Sequence, residues 1–185
     1  MKKTFLSFLL FNISLLGFSQ FEKVELQASG LTCSLCSNAV NKALKTLPFA
    51  ASVETDLNQN LFTIVLNKNI PVDFDAISKK VQDAGFSVAK CWVVADFHNL
   101  SLQNDEHLVW GGLNLHFLNV KPQTLNGLSR LQIIDQQFVQ PREYKRLSTI
   151  TGMACYKSGA MTSNCKPDLS LQAATGSTRV YHVSI

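Results

Sequence analysis

"FEKVELQASGLTCSLCSNAVNKALKTLP", residues 21–48, carries two hydrophobic periods joined by a cysteine-bearing turn. From Phe21 to Ala28 the residues come close to apolar–polar alternation, the pattern of a half-buried strand. Gly30 ends it. Val40, Ala43, Leu44 and Leu47 then recur at helical spacing, and Pro48 closes the helix. Cys33 and Cys36 lie between the two periods, three positions apart at the mouth of the helix.

The same switching of period continues downstream. A second strand is expected near Ser52 to Leu57, with Asn58-Gln59-Asn60 as a turn into Leu61–Leu66, where Phe62, Ile64 and Leu66 share a face. Pro71 and Asp73 open a second helix with Phe74, Ile77, Val81 and Ala84 on its buried stripe, and Gly85 caps its end. A last strand runs from Ser87 towards Val94. The order is βαββαβ, the ferredoxin-like arrangement, over residues 20–95. Residues 96–185 show no helical period. Val109–Val120, Leu128–Val139 and Arg179–Ile185 read as strands between Pro- and Gly-bearing turns, and Gly111-Gly112 marks a bulge or a close backbone approach. The chain is therefore expected to be α+β, a ferredoxin-like domain followed by a β-rich domain, sandwich or small barrel.

Composition narrows the function. Lys2 and Lys3 precede an apolar run from Phe5 to Leu16, and Gly17 and Ser19 are small, so residues 1–19 read as a cleaved export signal. That run falls short of the roughly 20 apolar residues of a membrane span, and no later stretch qualifies. The expected location is the periplasm or the exterior. Without Lys2 and Lys3 the formal charge of +4 falls to about +2, and no basic patch is interleaved with aromatics, which excludes a nucleic-acid partner. No Ser-His-Asp order, phosphate loop or paired-carboxylate pattern points to an enzyme.

Two thiolates suit a soft cation such as Cu(I) or Hg(II). A C-x-x-C loop opening a helix brings both sulfurs to one side, where free backbone N–H groups and positive potential favour the thiolate. The spacing alone also fits a thiol–disulfide pair, although the aromatic before the first Cys and the Pro between the two are missing. A structural zinc site requires a second ligand pair, and no second C-x-x-C exists.

"GLTCSLCSNAVNKAL", then "LP" and "ISKKVQDAGF", resembles the heavy-metal-associated domain of copper chaperones, metal-transporting ATPases and a periplasmic mercury-binding protein. Gly30, Thr32, Cys33, Cys36 and Val40 match that family's pattern over roughly residues 21–94. Leu31 stands where the family has Met, a swap that nearly conserves volume, and Phe86 stands where bacterial members often have Tyr. The resemblance implies that Cys33 and Cys36 are the metal ligands. It also implies a cargo of Cu(I) or another soft ion, and a partner that is another Cys-pair metal protein or a transporter.

Five cysteines in an exported chain leave an odd thiol. Cys91, on the last strand of the first domain, reads as a small buried hydrophobe. Cys155 and Cys165, ten apart in a turn-rich stretch, read as a disulfide worth on the order of 3 kcal/mol. The sharper alternative adds Met153 and Met161 to them as a second soft-metal site. His98, His107, His116 and His182 are scattered without ligand spacing and read as surface or strand residues. The resulting expectation is an exported carrier, buffer or detoxifier of a soft metal. A redox protein and an interaction protein with a vestigial loop stand as alternatives.

Overall fold

A computed structural model describes residues 21–161, 165 and 179–185; the expected export signal lies outside the described residues. β1 (Phe21–Ser29) buries Phe21, Val24, Leu26 and Ala28. The three-residue step from Phe21 to Val24 breaks strict alternation because a bulge shifts the register against the neighbouring strand there. α1 (Ser34–Leu44) follows the turn at Gly30 and buries Val40 and Leu44.

β2 (Ala50–Asp56) and β3 (Leu61–Leu66) form the expected hairpin. Its turn is held locally. The Asp56 carboxylate accepts the N–H groups of Asn58 and Gln59, and Asn60 takes the left-handed φ of +48°.

α2 (Phe74–Asp83) starts at Asp73, whose carboxylate accepts the Ala76 N–H at 3.2 Å. It ends in two reverse bonds, from Gly85 N–H to the Gln82 carbonyl and from Phe86 N–H to the Val81 carbonyl. That motif requires a left-handed residue, and Gly85 supplies it at φ +88°. Both helices lay their apolar stripes on the sheet, where Val40, Leu44, Phe74, Ile77 and Val81 join the core.

The departure from expectation begins with β4 (Ser87–Leu102). The strand does not stop near Val94 but runs for 16 residues, so the expected domain boundary at 95/96 falls inside it. One edge pairs with β1, matching Leu26 with Cys91; the other pairs with β7 (Gln123–Ile133), matching Cys91 with Ile133. β5 (Glu106–Trp110), β6 (Leu113–Phe117) and β8 (Val180–Ser184) continue the same sheet in the order β2-β3-β1-β4-β7-β8-β6-β5. β6 and β8 are parallel, and the other neighbours are antiparallel.

The later β-rich strands thus extend the ferredoxin-like sheet, and its far end comes back onto the first strands. Trp110 stacks on Phe97 with ring centroids 4.6 Å apart, and the β5–β6 turn reaches Phe21 at the start of β1. The backbone approach signalled by Gly111-Gly112 is this contact. A Cβ at Gly111 would lie 2.5 Å from Phe21 Cε2, and the residue has φ +55°. One buried cluster accordingly runs from Val40 and Phe74 through Cys91 to Phe117, Leu131 and Val183.

Two short helices were not expected. α3 (Pro141–Leu147) starts with Pro at a position where no N–H is needed, and α4 (Cys155–Ser158) is a single turn. They cover a small second cluster of Leu118, Ile134, Val139, Leu147 and Tyr156. Arg179, next to β8, forks onto Asp75 of α2 at 2.8 and 2.9 Å and reaches Asp135 at 3.1 Å, tying the C-terminal strand to the first half. Among the described residues no helix is long and apolar enough to cross a membrane.

Candidate metal centre

The Cys33–Cys36 loop is positioned from below and behind. Gly30 leaves β1 at φ +85°, and a Cβ there would rest 3.7 Å from Phe86 Cδ1, so the Phe86 ring stands against the loop. Leu31 is partly buried and packs on the core under the turn, where an apolar side chain of Met-like volume belongs. Cys33 is the N-cap of α1, with extended backbone at φ −152° and ψ 159°. Its carbonyl accepts the Ser37 N–H, and its sulfur accepts the Cys36 N–H at 3.3 Å.

The cap is usually an oxygen. Here it is sulfur, so one residue both ends the helix and offers a metal ligand. Cys33 is exposed and Cys36 half-exposed. The Cys36 thiol is held below the ordinary thiol range by a hydrogen bond from the Cys33 side chain. Slight burial opposes that shift, while bonds from Thr32 and the Cys33 backbone reinforce it. No carboxylate sits in the first turn of α1 to cancel the positive end of the helix. Leu35, between the two cysteines, is 77% exposed and gives the sulfurs an apolar rim.

The heavy-metal-associated domain family matches residues 25–87. Those residues form a heavy-metal-associated domain.

A curated relative, "Probable copper-transporting ATPase HMA5" of Arabidopsis thaliana, is 36% identical over 63 residues; the match takes in 34% of this chain and 6% of that ATPase. The yeast copper transporter domain Ccc2a, solved in apo and Cu(I)-loaded states, is 28% identical, with 38% of this chain and 90% of that one covered at a TM-score of 0.33. Oxidised MerP of Ralstonia metallidurans is 25% identical, with 37% and 96% covered at a TM-score of 0.32. The family match ends at residue 87, before the β5–β8 region.

Within the heavy-metal-associated domain the two predicted ligands stand together at the surface, and Cys91 stands apart. Cys91 is fully buried at mid-sheet, where burial pushes its thiol far up. It is the small buried hydrophobe that its place on the strand suggested.

Beyond the domain two expectations change. All five cysteines are free thiols, so the expected Cys155–Cys165 cross-link is absent. Cys165 Sγ instead accepts the Cys155 N–H at 3.1 Å. His98 is an exposed strand residue as expected, but the other three histidines are not scattered in space. His107 and His116 gather at Cys155, while His182 lies buried against His116. Burial, reinforced by His107 and His182, pushes the His116 pKa down to about 2, so the ring is neutral. Sequence spacing hid this group, because its members come from two strands and a one-turn helix. His107 and His116 face each other only because Gly111-Gly112 turns the chain from β5 into β6, a span whose residues 109–120 read as one strand.

Proposed function

We propose that this chain is an exported carrier or buffer that binds a soft metal ion, Cu(I) foremost, at Cys33 and Cys36. The observation that carries the reading is the loop itself, with two solvent-facing sulfurs at a helix N-terminus and a Cys36 thiol held below its ordinary range. Copper in the name of the Arabidopsis relative supports Cu(I) over other thiophilic ions.

Two thiolates hold Cu(I) in near-linear geometry and leave the metal open on its solvent side. An incoming thiolate from another Cys-pair protein or a transporter can add there. One Cu–S bond to this chain then breaks, and the ion moves on without a change of oxidation state. Exposure of Cys33 allows that approach, and the apolar rim at Leu35 gives a partner a surface to seat on. Closure of the pair to a disulfide removes both thiolates, so the reduced form is the binding form.

Anaerobic titration of the reduced chain against a competing chelator should show one tightly held Cu(I), lost when both Cys33→Ser and Cys36→Ser are introduced. Tight Cu(I) binding by that double variant would overturn the assignment. The lowered Cys36 also suits a thiol–disulfide exchanger. Such a protein would show a reversible Cys33–Cys36 couple and no tight Cu(I).

A further inference from the structure

The strands that extend the sheet beyond residue 102 assemble a second set of ligand atoms. His107 of β5 and His116 of β6 are direct cross-strand partners, so the pleat places both rings on one face. The rings stack with centroids 4.1 Å apart and 6° between their planes. The first residue of α4 brings a sulfur to their edge. Cys155 Sγ lies 3.4 Å from His107 Nε2 and 3.9 Å from His116 Nδ1, and the three atoms all fall within 4.8 Å of one another. A tetrahedral ion with Zn–S of about 2.3 Å and Zn–N of about 2.0–2.1 Å holds sulfur and nitrogen roughly 3.5 Å apart. The thiol and the two imidazoles already stand near that spacing.

The surroundings orient these groups. His116 Nε2 meets Asp105 Oδ1 at 3.1 Å, and the same oxygen accepts the Thr151 hydroxyl at 3.0 Å. With its proton held on Nε2, His116 turns the Nδ1 lone pair towards Cys155. A carboxylate behind the imidazole is the usual support of a metal-bound histidine. Cys165 Sγ, fully buried, adjoins Cys155 and accepts its N–H. His182, edge-on to His116 with centroids 5.0 Å apart, has a buried Nε2 without a partner among the described residues, while Asp135 holds its other nitrogen at 2.9 Å.

We propose that His107 Nε2, His116 Nδ1 and Cys155 Sγ form a second metal site, for a borderline dication of the Zn(II) type, with water taking the fourth position. Two imidazole nitrogens and one thiolate, with water in the fourth position, suit tetrahedral Zn(II), whereas Cu(I) favours the two-thiolate loop of the first domain. Binding is a proton exchange without redox change. The Zn–S bond forms as the Cys155 thiol releases its proton to water, and the thiolate offsets half of the charge of the ion. Half-buried His107 lies on the open side of the group and gives an ion its way in.

The test uses the full chain carrying Cys33→Ser and Cys36→Ser, so its outcome does not depend on Cu(I) binding at the loop. The reduced, metal-free protein is titrated with Co(II) and then with Zn(II). One equivalent of Co(II) should bind, with the visible bands of a tetrahedral ion and a near-ultraviolet thiolate band, and Zn(II) should displace it. Cys155→Ser should remove the thiolate band, and Asp105→Asn should weaken binding by about 10–100-fold. A purely structural hydrogen-bonded cluster predicts no uptake, and that result overturns the site, as does unchanged Co(II) binding in Cys155→Ser. If Cys155→Ser does not fold, His107→Ala decides, because its half-exposed ring is not needed for the core. At least a tenfold loss of affinity supports the site, and unchanged affinity overturns it.

Discussion

The two cysteine-bearing regions of this chain use the same atom in opposite settings. At the Cys33–Cys36 loop the sulfurs face solvent, cap a helix, and one thiol is held below its ordinary range. At the Cys155 cluster the sulfur is buried, its thiol is pushed up by desolvation, and carboxylates fix the imidazoles from behind. Low burial and an open face favour exchange of a cargo. Burial and carboxylate support favour retention of whatever is held. Ligand identity alone therefore does not set the role of a thiol; solvent access does.

The largest effect expected from this contrast is kinetic. Alkylation of the reduced chain under native conditions should modify Cys36 at least about a thousandfold faster than Cys91, because Cys91 reacts only through opening that costs several kcal/mol. The thiolate is the nucleophile, so the Cys36 rate should rise with pH and level off with a midpoint below the ordinary thiol value of about 8.5. Mass mapping of partly alkylated protein measures both rates. Comparable labelling of Cys36 and Cys91 would erase the distinction between an open loop and a sealed core.

A stability effect of intermediate size tests whether the two regions fold as one. Gly111→Ala places a Cβ 2.5 Å from the buried Phe21 ring at a backbone φ of +55°, so overpacking and left-handed strain should together cost about 2–4 kcal/mol. Gly112→Ala, with φ +80° but open space, should cost about 1–2 kcal/mol from strain alone. Denaturant unfolding should remain one transition in both, because β4 and the core are shared. Two separate transitions, with only the later region weakened by Gly111→Ala, would show the halves to be independent. The smallest effect is confined to α2, where Asp73→Ala removes the cap to the Ala76 N–H and should cost about 1 kcal/mol. An unchanged midpoint would mean that the Tyr181 hydroxyl, which accepts the Asp75 N–H at 3.4 Å, already holds that helix end.

Residues 21–94 were legible because their signals are local. Alternation in β1, helical spacing through Val40 and Leu44, the Asp73 cap and the Gly85 stop each lie within a few residues, and together they set βαββαβ and put Cys33 and Cys36 at a helix mouth. The later strands were legible only in part: Val109–Val120 reads as one strand where β5 and β6 are two, Leu128–Val139 catches only the second half of β7, and Arg179–Ile185 matches β8. What those strands would pair with was not legible. Alternation shows which face of a strand is buried but says nothing of its edges. Only the folded chain reveals that the free edge of β4 takes β7, so a break read at Asp96 becomes mid-strand. α3 and α4 are too short to show a period, and Pro141 reads equally as a loop or as a helix start. The His107, His116 and Cys155 group is likewise a product of tertiary structure. A cross-strand register joins the first two, and a turn of helix some 40 residues later delivers the third. Sequence by itself determined the loop that faces solvent, since a turn, a cap and two thiols are neighbours in the chain. Tertiary structure decided everything that depends on which distant strands share a sheet, because pairing energy is spread over edges that carry no residue-level code.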